Sequence, residues 1–211
     1  MKVLVTGGSG GIGKSIVDLF NNKGLSVYAP SRNELNLLNE INLENRDFDI
    51  IVNCAGINPL NNLLDSNNSD VMKINYFSPL EIVKQCLPNM IKNNYGRIIN
   101  IGSIWINMAK PKRLDYSVSK NALHTLTKFL TAEYASYNIL SNTVSPGFIE
   151  TQLTFKNNTS EEMIKIKNNI PVKRLGQPEE IAKLVYQMTI ENEYICGQNI
   201  IIDGGYSCIA H

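Results

Sequence analysis

A tyrosine and a lysine four residues apart, Tyr116 and Lys120, open a stretch of helical periodicity, where that spacing sets phenol and ammonium on one face. An unperturbed phenol titrates at about 10 and is a poor acid–base group near neutrality; a neighbouring ammonium favours its phenolate and brings it nearer the working pH. Such a pair could trade a proton with a carbonyl or alcohol oxygen. Alone it is also a common surface pair, and Ser103 adds weight by standing thirteen residues earlier, at the end of the apolar run Arg97–Ile101.

Thr6-Gly7-Gly8-Ser9-Gly10-Gly11-Ile12-Gly13 follows another apolar run and opens a helical pattern. In that setting glycines let the chain turn tightly and approach a pyrophosphate at the positive end of a helix. Two registers fit, Gly8-x-Gly10-x-x-Gly13 and the wider Gly7-x-x-x-Gly11-x-Gly13. After the next run, where an acid would bind the adenosine ribose, stand Ser31 and Arg32. A hydroxyl and a guanidinium suit a 2′-phosphate that a carboxylate would repel, which favours NADP(H) over NAD(H). The competing reading is an exposed Arg after a strand.

The elements that must position these groups alternate. Lys2–Thr6, Leu25–Ala29, Asp49–Asn53, Arg97–Ile101, Ile139–Val144 and Asn199–Ile202 read as short, nearly continuous apolar strands, the pattern of a parallel sheet buried on both faces. Helical segments lie between them: one from the glycine turn with Ile12, Ile16, Leu19 and Phe20, then Ser69–Asn93, Tyr116–Tyr137, Ser160–Asn169 and Pro178–Ile190. The expected fold is α/β, a Rossmann-type doubly wound parallel sheet flanked by helices, in one domain over 1–211. Between Pro30 and Glu34 there is no room for the usual second crossover helix before Leu35-Asn36-Leu37. That tripeptide is either a short substitute strand or loop, which makes about six or seven strands.

Composition narrows the partners. Twenty Lys and Arg against nineteen Asp and Glu leave a formal charge of +1, so no global field collects nucleic acid or an anionic membrane. No apolar run is long enough to span a bilayer, and the amino terminus carries no secretory core. Cys54, Cys86, Cys196 and Cys208 are widely spaced, with only His124 and His211 to help as ligands, so no metal site is expected and a reducing, cytoplasmic setting is.

Taken in order, Thr6-Gly7-x-x-x-Gly11-x-Gly13, Asn53-Cys54-Ala55-Gly56, Asn75, Ser103, Tyr116-x-x-x-Lys120, Pro146-Gly147 with Thr151, and Asp203-Gly204-Gly205 cover nearly the whole chain. In this the sequence resembles the short-chain dehydrogenase/reductase family, in its compact single-domain branch. The resemblance implies a catalytic tetrad of Asn75, Ser103, Tyr116 and Lys120. Tyr116 would move the proton, Ser103 would hold the same oxygen, Lys120 would also hold the nicotinamide ribose, and Asn75 would keep its helix open around a water. It implies a nicotinamide dinucleotide held by Thr6, Gly7, Ser9, Gly11, Ile12 and Gly13, by Ala55 and Gly56, and by Pro146, Gly147 and Thr151. Asn53 would tie the sheet and Asn36 would approach adenine. It implies a homodimer or homotetramer through the two long helices.

The family's members usually run longer, and here much of the missing length falls between Ser31 and Asn53, trimming the adenosine side of the sheet. Gly10 stands where many NADP-dependent relatives carry a basic residue. Lys110, Lys112 and Arg113 lie in the segment between Ser103 and Tyr116 at the mouth of the site. They would bind an anionic group on the substrate, such as a sugar nucleotide or an acyl carrier compound, or else form a solvated loop. About 152–170 should form a substrate lid, with Met163 and Ile164 or Ile166 facing in. His124 and Cys54 are assigned packing roles. The expected activity is NADP(H)-dependent reduction of a carbonyl, or its reverse, on a small molecule. The alternative is a non-catalytic dinucleotide sensor on the same fold.

Overall fold

The computed structural model describes residues 1–209; His211 lies outside the described residues. Six parallel strands, β1 (Lys2–Thr6), β2 (Ser26–Tyr28), β3 (Ile50–Asn53), β4 (Gly96–Ile101), β5 (Ile139–Pro146) and β6 (Asn199–Ile202), pair in the order β2-β1-β3-β4-β5-β6. Successive strand residues alternate between two apolar layers. Leu4, Ile51 and Ile98 pack with Ile82, Leu123 and Leu130 on one face, while Val3, Val5, Val52 and Ile99 pack with Ile16, Phe20, Ile181 and Val185 on the other. Both faces are therefore dry, which explains the continuous apolar runs.

Helix α1 (Gly11–Asn22) follows β1. A short α2 (Ser69–Met72) runs through a single π turn, Lys73–Phe77, into α3 (Ser78–Asn93), and α4 (Leu114–Tyr134) follows β4. Then come α5 (Gln152–Lys156), α6 (Ser160–Asn169) and α7 (Pro178–Tyr186). Among the described residues no helix is long and apolar enough to cross a membrane. Because the chain leaves β1 for β2 on one side and reaches β3 on the other, a crevice opens beyond the carboxyl ends of β1 and β3.

Residues 29–49 contain neither helix nor strand, so Leu35–Leu37 is loop and the sheet has six strands. This segment does the work of the absent crossover helix with alternate apolar side chains. Ile41, Leu43 and Phe48 are buried against the α3 and α4 layer, Leu35 and Leu37 pack beside them, and Phe48 stacks on Tyr28. A buried loop needs partners for its backbone. Helix α3 supplies them: Gln85 Nε2 donates to the Ile41 carbonyl at 2.6 Å, Gln85 Oε1 accepts from the Leu43 N–H at 2.9 Å, and Ser78 Oγ donates to the Leu37 carbonyl at 2.6 Å.

One row of the sheet is polar. Thr6, Asn53, Asn100, Thr143 and Asn199 are register partners across β1, β3, β4, β5 and β6. Asn53 Nδ2 donates to Asn100 Oδ1, and Asn100 Nδ2 donates to Thr127 Oγ1 on α4, both at 2.8 Å; Thr127 and Thr143 join their hydroxyls at 2.8 Å. These bonds bind the carboxyl ends of the strands to α4 just behind the crevice.

Gln85 is the staple that most directly replaces the missing helix. Gln85→Ala leaves two buried backbone groups of the loop without partners and lowers the unfolding free energy by about 2 kcal/mol in a urea titration. An unchanged midpoint would mean that the loop is held by its apolar side chains alone.

Candidate active site

A cleft of about 510 Å³ lies over the carboxyl ends of the strands. Its floor at one end is the glycine turn. A side chain at Gly7, where φ is +71°, would press on Ala55, and a Cβ at Gly13 would lie 2.2 Å from the Gly7 carbonyl oxygen. Backbone therefore meets backbone where α1 leaves β1. No side chain caps the amino terminus of α1, so its first N–H groups are left to an anion. A bare helix end, a cradle that tolerates no Cβ and an open approach at Gly10 fit a dinucleotide pyrophosphate.

Ser9, Gly11, Ile12, Ala55, Gly56, Pro146, Gly147 and Thr151 line the same cleft, as do Arg32 and Asn36 at its far end. Thr6 lines it too, but its hydroxyl accepts from the N–H groups of Cys54 and Ala55 at 3.1 and 3.2 Å and ties β1 to the end of β3. Asn53 and Ser31 are not among the lining residues. Asn53 belongs to the polar row behind the wall. The Ser31 N–H donates to the Glu34 carboxylate at 2.8 Å, and that bond, with one to the Ser31 hydroxyl, holds Glu34 below the usual carboxylate range. An acid thus stands near the adenosine end after all, displaced by the turn from the position where strand-end reasoning looks for it. It leaves Arg32 as the cation at that rim.

At the other end Ser103, Tyr116 and Lys120 converge from two elements. Ser103 ends β4 and starts the short turn Ile104–Ile106, its Oγ accepting from the Trp105 N–H at 3.3 Å. Tyr116 sits in the first turn of α4, with Ser103 near enough to pull its phenol down. One turn later Lys120 is buried and donates to the Ile101 carbonyl at 2.7 Å. Burial pushes the Tyr116 phenol up to about 12, against the pull of Ser103 and of the Arg113 charge, and pushes the Lys120 ammonium down to about 8. Desolvation outweighs the groups that pull the phenol down in this structure, Ser103 and Arg113.

Asn75 is fully buried in the π turn, behind the cleft. Its Oδ1 accepts from the Ile57 N–H at 2.9 Å, and its Nδ2 donates to the Ile57 carbonyl at 3.0 Å and to Ser119 Oγ at 2.9 Å. It pins the chain after Ala55-Gly56 to the helix that carries Tyr116. Cys54 lines the cleft, but burial raises its thiol to about 11, so it stays neutral. His124 Nδ1 meets Thr143 Oγ1 at 3.1 Å on the polar row.

The segment after Ser103 separates its three cations. Lys112 is exposed in a left-handed turn, φ +64°, whereas Arg113 is buried and lines the cleft. Lys110 lies over the rings of Trp105 and Phe148 at 5.8 and 5.6 Å. Helix α6 covers these rings with Met163 and Ile166, while Ile164 faces solvent. Asn157 Nδ2 donates to the Asn58 carbonyl at 3.1 Å, and Asn58 and Asn157 both line the cleft. Nothing in residue type marks that bridge; only the fold brings the two asparagines together.

A family model described as enoyl-(acyl carrier protein) reductase matches residues 35–207. The 3-oxoacyl-[acyl-carrier-protein] reductase FabG of Buchnera aphidicola subsp. Acyrthosiphon pisum is 35% identical over 95% of this chain and 95% of its own. The acetoacetyl-CoA reductase of Allochromatium vinosum is 30% identical over 96% of each. Among solved structures, 4-hydroxyisoleucine dehydrogenase complexed with NADH aligns with a TM-score of 0.87 at 28% identity over 99% of both chains. A mutant of that enzyme complexed with NADH and succinate aligns at 0.88 and 29% over the full length of both.

The desolvated ammonium is directly observable. Carbon-13 NMR of labelled lysines is expected to show one side chain titrating near 8 that is absent from Lys120→Met; no such titration would contradict the burial described.

Proposed function

The chain belongs to the short-chain dehydrogenase/reductase family of NAD(P)-dependent oxidoreductases, and from that we propose that it interconverts a carbonyl and an alcohol with NADP(H), Tyr116 passing the proton. One observation carries this reading: Ser103, Tyr116 and Lys120 line the same cleft as the bare amino terminus of α1. A dinucleotide bound there would supply or accept the hydride.

The chain's own groups account for the rest. With its phenol held near 12, Tyr116 arrives protonated at neutral pH and acts as a proton donor in the reducing direction. Ser103 steadies the oxygen on which negative charge grows. Lys120, already fixed by Ile101, lies 5.7 Å from the centre of the Tyr116 ring, where its charge stabilises the phenolate left behind and can hold ribose hydroxyls. Asn75 keeps the π turn and Ile57 in place beside them.

Arg32 at the adenosine rim supports NADP(H) over NAD(H), with a 2′-phosphate drawn to a guanidinium that no salt bridge among the described residues occupies. The substrate is an anionic carbonyl compound. The names of the relatives put 3-oxoacyl thioesters on the panel of trial substrates, and the neighbour's title puts a dicarboxylate there. The unpaired cysteines suit a reducing compartment, the cytoplasm. We also propose that α3 and α4 meet a second copy. Val118 and Phe129, three turns apart on α4, are both exposed, so light scattering should give a multiple of the 23.6 kDa chain mass, and a monomer would reject this.

Tyr116→Phe lowers the NADPH-dependent reduction rate by roughly a hundred- to ten-thousand-fold with the fold intact by circular dichroism. Arg32→Asp moves the NADPH to NADH ratio of kcat/KM towards NADH. Undiminished turnover in the first variant would end the proton-transfer reading, and an unmoved ratio in the second would end the cofactor reading. Dinucleotide binding without turnover of any carbonyl would favour a sensor.

A further inference from the structure

Among the described residues Arg113 forms no salt bridge. It is 5% exposed, it lines the cleft, and neither Nε nor Nη1 has a hydrogen-bond partner among the described residues. A buried guanidinium left in that state is costly, and native structures pair such groups. The nearby carboxylates are engaged elsewhere. Asp115 accepts from Ser66 Oγ and, at 3.5 Å, from Asn61, while Glu162 on α6 accepts from the Thr159 N–H at 2.7 Å as part of its helix cap. The guanidinium also does no structural work at its own position. Arg113 precedes the first residue of α4, and its side chain makes no capping bond there.

Resting on the carbonyl-reductase reading above, we infer that Arg113 is the seat for a carboxylate carried by the substrate itself, so that the substrate is a short free oxo acid. The spacing sets the size. Arg113, just before α4, and Tyr116, in its first turn, both line the cleft, near enough for the guanidinium charge to act on the phenol. A molecule whose carbonyl oxygen rests on Ser103 and Tyr116 reaches Arg113 only with an anionic group a few bonds from that carbonyl. The phosphate of a carrier-bound acyl thioester lies at the far end of a long arm and cannot serve both. The planar fork of Arg matches a carboxylate with two parallel hydrogen bonds. Trp105 and Phe148, edge to face with ring centres 6.0 Å apart, wall the cleft beside it and leave room for a short apolar chain.

Binding and turnover test this separately. Malonate, a dicarboxylate with no reducible carbonyl, is titrated calorimetrically into the whole protein and into Arg113→Gln, Arg113→Lys and Lys112→Ala. Saturable binding is expected in the wild type and in Lys112→Ala, and is weakened about ten- to a hundred-fold in Arg113→Gln and less in Arg113→Lys. No malonate binding by the wild type, or equal binding by Arg113→Gln, overturns the inference whatever the enzyme reduces. In NADPH-coupled assays acetoacetate is expected to exceed methyl acetoacetate in kcat/KM in the wild type, with that preference lost in Arg113→Gln. If Arg113→Gln slows acid and ester equally, Arg113 tunes Tyr116 and does not read the substrate. If the wild type reduces both without preference, the inference fails while the reductase reading stands.

Discussion

An ammonium out of water is the constraint around which this cleft is arranged. Lys120 is buried and satisfied by the Ile101 carbonyl at the end of β4, and burial brings its ionisation down to about 8. That single bond joins the last residue of β4 to the second turn of α4, and so sets Ser103, two residues beyond, against Tyr116, one turn before. The same dryness that lowers the lysine raises the phenol, leaving a protonated acid beside a cation whose charge is readily gained or lost. Both shifts favour a group that acts when a ligand completes the electrostatics.

Holding that geometry requires the strand ends not to slide. The polar row Thr6, Asn53, Asn100 and Thr143 does this by locking four neighbouring strands in register and reaching into α4 through Thr127. A one-residue slip would turn each of these groups into an apolar layer, where an unpaired amide is expensive. On the other side of the cleft, Asn75 ties the chain after β3 to the same helix through Ile57 and Ser119, at the cost of one irregular π turn. Irregular backbone is found where it holds function in place, and here Ile74 of the same turn lines the cleft.

Much of this was legible in the residues, because the signals were local. Continuous apolar runs read as doubly buried strands, and glycines between a strand and a helix read as a phosphate turn. A Tyr and Lys one helical turn apart read as a pair. What was not legible depended on partners far along the chain. Residues 29–49 fill the place of a helix through alternate side chains stapled by Gln85 and Ser78, more than thirty residues on. Arg113 and Lys112 are adjacent and alike in charge, yet one is buried in the cleft and the other exposed in a left-handed turn. Asn100 and Thr143 show only as polar residues near the ends of apolar strands, and Glu34 as an acid a few residues past the expected place.

The measurement that bears most directly on the central claim is calorimetric titration of the cofactor-free protein with NADPH near pH 8, in two buffers of different ionisation enthalpy. An anionic dinucleotide and its ribose hydroxyls favour the charged form of Lys120, so binding should be saturable, one molecule per chain, with net uptake of protons that Lys120→Met abolishes. Absence of binding, or binding with no proton uptake in either buffer, would contradict a desolvated lysine held in wait for the cofactor.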